Sequence, residues 1–138
     1  MDIHDALQLA LQHHQAGDIE QAEFLYREIL KVQPNHDDAL YLLGVVKYQR
    51  KNYDSAIADL KSVLKNNPQN SYAYYYLGNT FRENGDPVEA IDCYRKALHI
   101  NAELFEADNN LKLALKEREQ LGKGFHNLNL ITLIGKKI

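Results

Sequence analysis

A single cysteine, Cys93, stands in 138 residues. No intrachain disulfide can form, and the redox compartment stays open. A basic excess is also missing. The formal net charge is -3, whereas nucleic-acid domains carry surplus Lys and Arg to meet phosphate, so no nucleic-acid partner is expected. No apolar run approaches the length of a membrane span, and no membrane partner is expected. The opening MDIHDALQ has neither the basic nor the apolar block of a signal peptide, which makes the cytoplasm the expected location. Phosphate loops, nucleophile elbows and metal-ligand clusters are absent as patterns. The chain is therefore not expected to be an enzyme, and neither a catalytic residue, a metal nor a cofactor is expected. The nearest candidates fail on geometry. His13 and His14 are adjacent on a helix and point about 100° apart, so they cannot chelate together, and His4 is more than about two turns from His13. Cys93 has no paired basic activator in its own turn, although Arg95 and His99 are near in sequence, and it reads as an inert structural thiol.

What is present suits one soluble domain. Apolar residues make up 45% and charged residues 25%, an ordinary balance. The three prolines mark helix boundaries. A first helix over about Asp2 to Gln15 ends at Ala16-Gly17. Asp18 caps a second, with Gln21 completing an Asp-x-x-Gln capping box, and Pro34 follows its end near Val32. Asn35 is the expected cap of the next helix, with Asp37 and Asp38 in a first turn that favours negative charge. Asn52 is the expected cap of the fourth helix, before Pro68, and Asn70 that of the fifth. Asp86 caps the sixth, with Pro87 at its first position and Glu89 closing the box. One more helix is expected from Asn101 to Leu121, with Gly122 as its stop.

The stretch SYAYYYLGNTFRENGDPVEAIDCYRKALHIN, Ser71 to Asn101, organises the rest. Tyr74, Leu77, Gly78, Phe81, Ala90, Tyr94 and Ala97 carry its pattern. Leu43, Gly44, Ala56 and Leu64 repeat it one period earlier, and Leu9, Ala10, Ala22 and Leu30 one period before that. Leu111 and Ala107 continue two of the series forward. The chain resembles a tetratricopeptide repeat (TPR) protein. The resemblance implies an all-α fold, a right-handed superhelix of three helical hairpins plus a C-terminal capping helix. Its domain covers 1–121, with repeats at 3–36, 37–70 and 71–104 and the capping helix at 102–121. Stacked repeats bury what one hairpin cannot, and the last helix covers the remaining apolar face. The small residues Ala10, Gly44 and Gly78, facing Ala22, Ala56 and Ala90, let paired helices approach, and Leu30, Leu64 and Leu98 fill the space between repeats.

By the same resemblance, the first helix of each repeat lines a concave groove. Leu7, Leu11, Tyr41, Leu42, Val45, Tyr48, Tyr72, Tyr75 and Tyr76 make this face apolar and aromatic, and Asn79, Arg82, Asn109 and Asn110 add polar groups. Tyrosine offers an apolar body and a polar tip, which suits it to interfaces. Tight curvature could instead let these rings cover one another as extra core, but Tyr72, Tyr75 and Tyr76 cannot all point inward with Tyr74. The expected function is a protein-protein interaction adaptor or scaffold, holding a peptide or helix in the groove. The best-known TPR groove clamps a C-terminal carboxylate with Lys, Asn and Arg. Here Leu7, Leu11, Leu42, Tyr72 and Tyr76 occupy those positions, so a carboxylate clamp is not expected. Two alternatives remain: the N-terminal TPR section of a larger bacterial enzyme, of glycosyltransferase or methyltransferase type, and a self-assembling scaffold.

The last reading rests on residues 122–138, KGFHNLNLITLIGKKI after Gly122, apolar in the middle and basic at the end. Phe125, Leu128, Ile131 and Ile134 are the expected docking residues, with Leu130 and Leu133 beside them. Gly122 and Gly124 would hinge the segment onto a TPR surface of the same or a neighbouring copy, the latter making a homo-oligomer.

Overall fold

The computed structural model describes residues 1–137, apart from the side chains of Phe125, His126, Asn127, Asn129, Lys136 and Lys137. Seven α-helices make up the described residues: α1 (Ile3–Gln15), α2 (Ile19–Val32), α3 (Asp37–Gln49), α4 (Tyr53–Asn66), α5 (Ser71–Glu83), α6 (Pro87–Ile100) and α7 (Phe105–Lys137). No strand occurs among them. Successive pairs form three hairpins, and α7 packs on α6 and reaches α5. This is the all-α superhelical architecture expected.

The turn inside each hairpin is built the same way. Residues 17, 51 and 85 all have positive φ, at 83°, 63° and 86°. The amide of Asp18 donates to the His13 carbonyl, that of Asn52 to Lys47 and that of Asp86 to Phe81, at 2.8–2.9 Å. The amides of Gly17, Lys51 and Gly85 donate to His14, Tyr48 and Arg82 at 2.9–3.1 Å. Each is a Schellman motif, which satisfies two carbonyls at the helix end. The middle repeat does this with lysine, and a left-handed non-glycine residue costs about 1–2 kcal/mol. The motif also explains the half-formed capping boxes. Asp18 and Asp86 accept from the amides of Gln21 and Glu89. Their own amides already serve the preceding helix, so Gln21 and Glu89 need not reach back.

Two caps differ from expectation. His36, not Asn35, caps α3, its Nδ1 accepting from the Ala39 amide at 3.1 Å. Asn52 precedes α4 but makes no side-chain capping bond. Asn70 does cap α5, accepting from the Ala73 amide at 3.0 Å.

The core follows the repeat. Ala10, Ala22, Ala39, Ala56, Ala73, Ala90 and Ala107 are fully buried. A Cβ on Gly44 would sit 3.0 Å from Leu60, and one on Gly78 2.7 Å from the ring of Tyr94. Those contacts fix how closely α3 meets α4 and α5 meets α6. Leu43 and Leu77 are buried, whereas Leu9 and Leu111 are half-buried because each has a neighbouring repeat on one side only. Leu64 is buried, with Leu30 and Leu98 half-buried.

The largest departure lies at the C-terminus. Gly122 and Gly124, expected as stop and hinge, lie inside α7, which runs for 33 residues. An uninterrupted backbone hydrogen-bond ladder outweighs two glycines that each disfavour helix by about 1 kcal/mol. Every described side chain from Arg118 to Gly135 is exposed, and so are Leu128, Leu130, Ile131, Leu133 and Ile134. The expected docking of Leu128, Ile131 and Ile134 on the chain's own repeats is therefore not made. The side chain of Phe125 lies outside the described residues.

Candidate binding groove

The inner faces of α1, α3 and α5 present the candidate site. Helical periodicity puts Leu7, Leu11 and His14 on one stripe of α1, and Asp38, Tyr41, Leu42, Val45, Tyr48 and Gln49 on one of α3. Leu11, His14, Gln15, Tyr41, Leu42, Val45, Gln49 and Tyr76 line a cleft of about 220 Å³. Five of the thirteen groove residues named from sequence thus meet in one depression. Leu7 is half-buried beside it, packed on the first-repeat core.

Tyr76 is the hub of the aromatic face. Its ring meets Tyr75 at a centroid distance of 5.1 Å, Tyr48 at 5.9 Å and Tyr41 at 6.1 Å, all near-perpendicular at 62–67°. Edge-to-face pairs of this kind are worth about 0.5–1.5 kcal/mol each beyond their burial. The rings therefore support one another while keeping one side open: Tyr41, Tyr48, Tyr75 and Tyr76 are half-buried, and Tyr72 is 50% exposed. Burial pushes the phenols of Tyr41, Tyr48 and Tyr76 above their ordinary pKa. The carboxylate of Glu83 adds to the effect at Tyr48, and that of Glu106 adds to it at Tyr76. Glu83 at the end of α5 and Glu106 in the first turn of α7 are both exposed.

The polar residues fall differently. Asn79 lies under the groove, 4% exposed. Its Oδ1 accepts from the Tyr94 hydroxyl and, at 2.9 Å, from Asn110 Nδ2. Asn110 also donates to the Tyr75 hydroxyl at 3.4 Å. The Arg82 guanidinium donates to Glu117 at 3.1 Å. Asn79, Arg82 and Asn110, expected to add polar groups to the groove, bond one another or α7 and so link α5 to α7. A buried amide must find partners, and the facing helix supplies them. Asn109 is exposed. Val45, 4% exposed, forms part of the floor.

Sequence reasoning missed the rungs that join successive first helices. His14 Nε2 bonds Gln49 at 2.8 Å, Tyr75 bonds Asn110, and Arg82 bonds Glu117. All three pairs are separated by 35 positions. A search for polar pairs one residue beyond the repeat period would have found them. His14 Nδ1 also meets the Tyr26 hydroxyl at 3.0 Å, so its ring is held from both sides. This explains its place in the cleft wall without a metal. Among the described residues, no cluster of His, Cys, Asp and Glu is grouped to hold an ion, and no helix is long and apolar enough to cross a membrane. Cys93 is buried, and burial with Asp92 alongside pushes its thiol up to about 12.

Comparison with known proteins agrees with this architecture. Tetratricopeptide repeat family models match residues 13–77 and 71–104, running together from 13 to 104. A probable UDP-N-acetylglucosamine–peptide N-acetylglucosaminyltransferase of Arabidopsis thaliana is 33% identical over 96 residues, 68% of this chain and 10% of that protein. The solved O-GlcNAc transferase of Thermobaculum terrenum superposes with a TM-score of 0.79 at 26% identity, over 82% of this chain and 22% of the other. The MamA structure from Desulfovibrio magneticus superposes at 0.80 with 22% identity, over 99% of this chain and 77% of the other, a likeness of fold. The chain spans only a tenth of the Arabidopsis relative. Repeat period, hairpin turns, buried small residues and these matches agree that the chain belongs to the tetratricopeptide repeat family.

Proposed function

We propose that this repeat domain binds a peptide or helix of a protein partner in its tyrosine-rich groove. The observation that carries the reading is the set of half-open rings around Tyr76, with Tyr72 standing out at the groove's edge. An open apolar and aromatic face costs solubility unless something covers it. The groove is not a carboxylate clamp: Leu7, Leu11, Leu42, Tyr72 and Tyr76 supply no cation, and Arg82 is engaged by Glu117. Apolar anchors would supply affinity here, and specificity would come from a guest that avoids added negative charge near Glu83 and Glu106. The test is capture of partners by wild type against Tyr72→Ala/Tyr76→Ala, with far-UV circular dichroism as control. The variant should lose the partners while staying helical. Unchanged capture by a helical variant would refute the reading. C-terminal amidation of a captured peptide should leave its affinity within about threefold, since a clamp on the carboxylate would lose far more.

A second reading places the domain in front of a catalytic unit of glycosyltransferase type. The identity to the Arabidopsis transferase over 96 residues favours it. A reading frame that continues past Ile138 into such a unit would select it, and both readings leave the groove free to bind.

A further inference from the structure

The end of α7 is built unlike the rest of the molecule. The sixteen residues from Gly122 to Lys137 remain helical, so by the rise of a helix they reach about 24 Å. Leu128, Leu130, Ile131, Leu133 and Ile134 are all exposed on that rod. At about 100° per residue they cover about 220° of its circumference, and an apolar face that wide is ordinarily buried. Its charge is also distinct. Residues 122–138 hold three lysines and no carboxylate, so of the total of -3 the first 121 residues carry -6.

We propose that the α7 extension of one copy lies in the tyrosine groove of a second copy. The inference rests on the groove reading above and names the occupant. Charge selects the partner. Two extensions packed on each other would bring six lysines together with no acid from either segment. In the groove, the extension instead meets the exposed carboxylates of Glu83 on α5 and Glu106 on α7, with Tyr72 and Tyr76 for its apolar side chains. Geometry excludes the chain's own groove, because folding back needs a break that the continuous helix across Gly122 and Gly124 does not have. A reciprocal exchange closes a dimer, and a non-reciprocal one builds a chain of molecules. Either way the groove is completed by Leu128, Ile131 and Ile134 of the neighbour.

The test uses full-length protein and two surface variants. Ile131→Asp/Ile134→Asp disables the extension, and Tyr72→Arg repels it from the groove. All three positions are at least 50% exposed, so folding should persist, with circular dichroism as control. Sedimentation velocity over about 1–200 μM should show wild type assembling with concentration and each variant at least tenfold weaker. Mixing the variants should restore a heterodimer, because one retains the groove and the other the extension. Monomeric wild type across the range would overturn the proposal. So would assembly lost in the extension variant but kept in Tyr72→Arg, since that outcome means extensions pair together. Vesicles of phosphatidylcholine with phosphatidylserine form the last arm. Extension-dependent binding to them by a protein monomeric in solution would assign the rod to a lipid surface and overturn self-docking. Partner capture lost in Tyr72→Ala/Tyr76→Ala would still stand in every such case, so failure here is distinct from failure of the groove itself.

Discussion

Adding one methyl at Gly78 should destabilise the fold although it favours the helix. The Cβ of Gly78→Ala would lie 2.7 Å from Cε1 and 2.8 Å from Cδ1 of Tyr94. That ring is fully buried, its hydroxyl is bonded to Asn79, and it packs with Ala90, Ile91 and Ala97. It has no free direction, so α5 and α6 must separate. Overpacking costs about 1–3 kcal/mol, and a fixed ring only 2.7 Å away places this case in the upper half of that range, about 2–3 kcal/mol. Replacing glycine inside a helix returns about 1 kcal/mol. The expected net loss is about 1–2 kcal/mol, which for a domain of this size lowers the thermal midpoint by about 4–8 °C. Urea unfolding followed by circular dichroism should show a lower midpoint with an unchanged slope. Gly44→Ala is the internal control. Its nearest atoms are Cδ2 and Cγ of the fully buried Leu60, both 3.0 Å away, a tight contact but a milder one than at Gly78. An overpacking cost at the low end, about 1 kcal/mol, then roughly cancels the gain from replacing a helical glycine, so it should stay within about 1 kcal/mol of wild type. Combining Gly78→Ala with Tyr94→Leu should cost less than the sum of the two singly, by at least about 1 kcal/mol. A Gly78→Ala protein as stable as wild type, or strict additivity with Tyr94→Leu, would refute the close-contact argument.

Three further outcomes are expected. Lys51→Gly should raise stability by about 0.5–1 kcal/mol, since relief of a left-handed lysine exceeds the entropy that glycine adds to the unfolded chain; a fall in melting temperature would contradict this. The phenols of Tyr26 and Tyr94, raised to about 12 by burial, hold protons that the unfolded chain releases near pH 10. Their contribution is whole below about pH 10 and lost as pH climbs through the raised values, so denaturant midpoints should fall between about pH 10 and 12 while far-UV signal at neutral pH stays unchanged; flat midpoints across that window would sink the assignment. Cys93, whose thiol is pushed up to about 12, should react with an aromatic disulfide reagent at pH 8 at least tenfold faster in denaturant than in the native state; rapid stoichiometric labelling of native protein would show the thiol accessible.

The sequence by itself determined the hairpins. Leu43, Gly44 and Ala56, with their counterparts at Leu77, Gly78 and Ala90, settle which helices pair and how closely. The reason is local and repetitive: one period of residue types recurs, so each packing solution is written three times. Caps that use a single side chain, such as Asp18, Asn70 and Asp86, were legible for the same reason. The tyrosine face was legible as a face, because helical periodicity alone separates it from the core stripe. Tertiary structure decided how open each ring is, since exposure depends on curvature that no single helix encodes. It also decided the fate of Asn79, Arg82 and Asn110, which turn to the facing helix because a buried polar group goes where its partner lies. And it decided the end of the chain. Gly122 and Gly124 signal a break in the sequence, but helix propensity is a weak local preference. With α7 already held by α6, continuing its hydrogen-bond ladder costs less than stopping it. The result is an exposed apolar rod where the sequence had suggested a hinged tail.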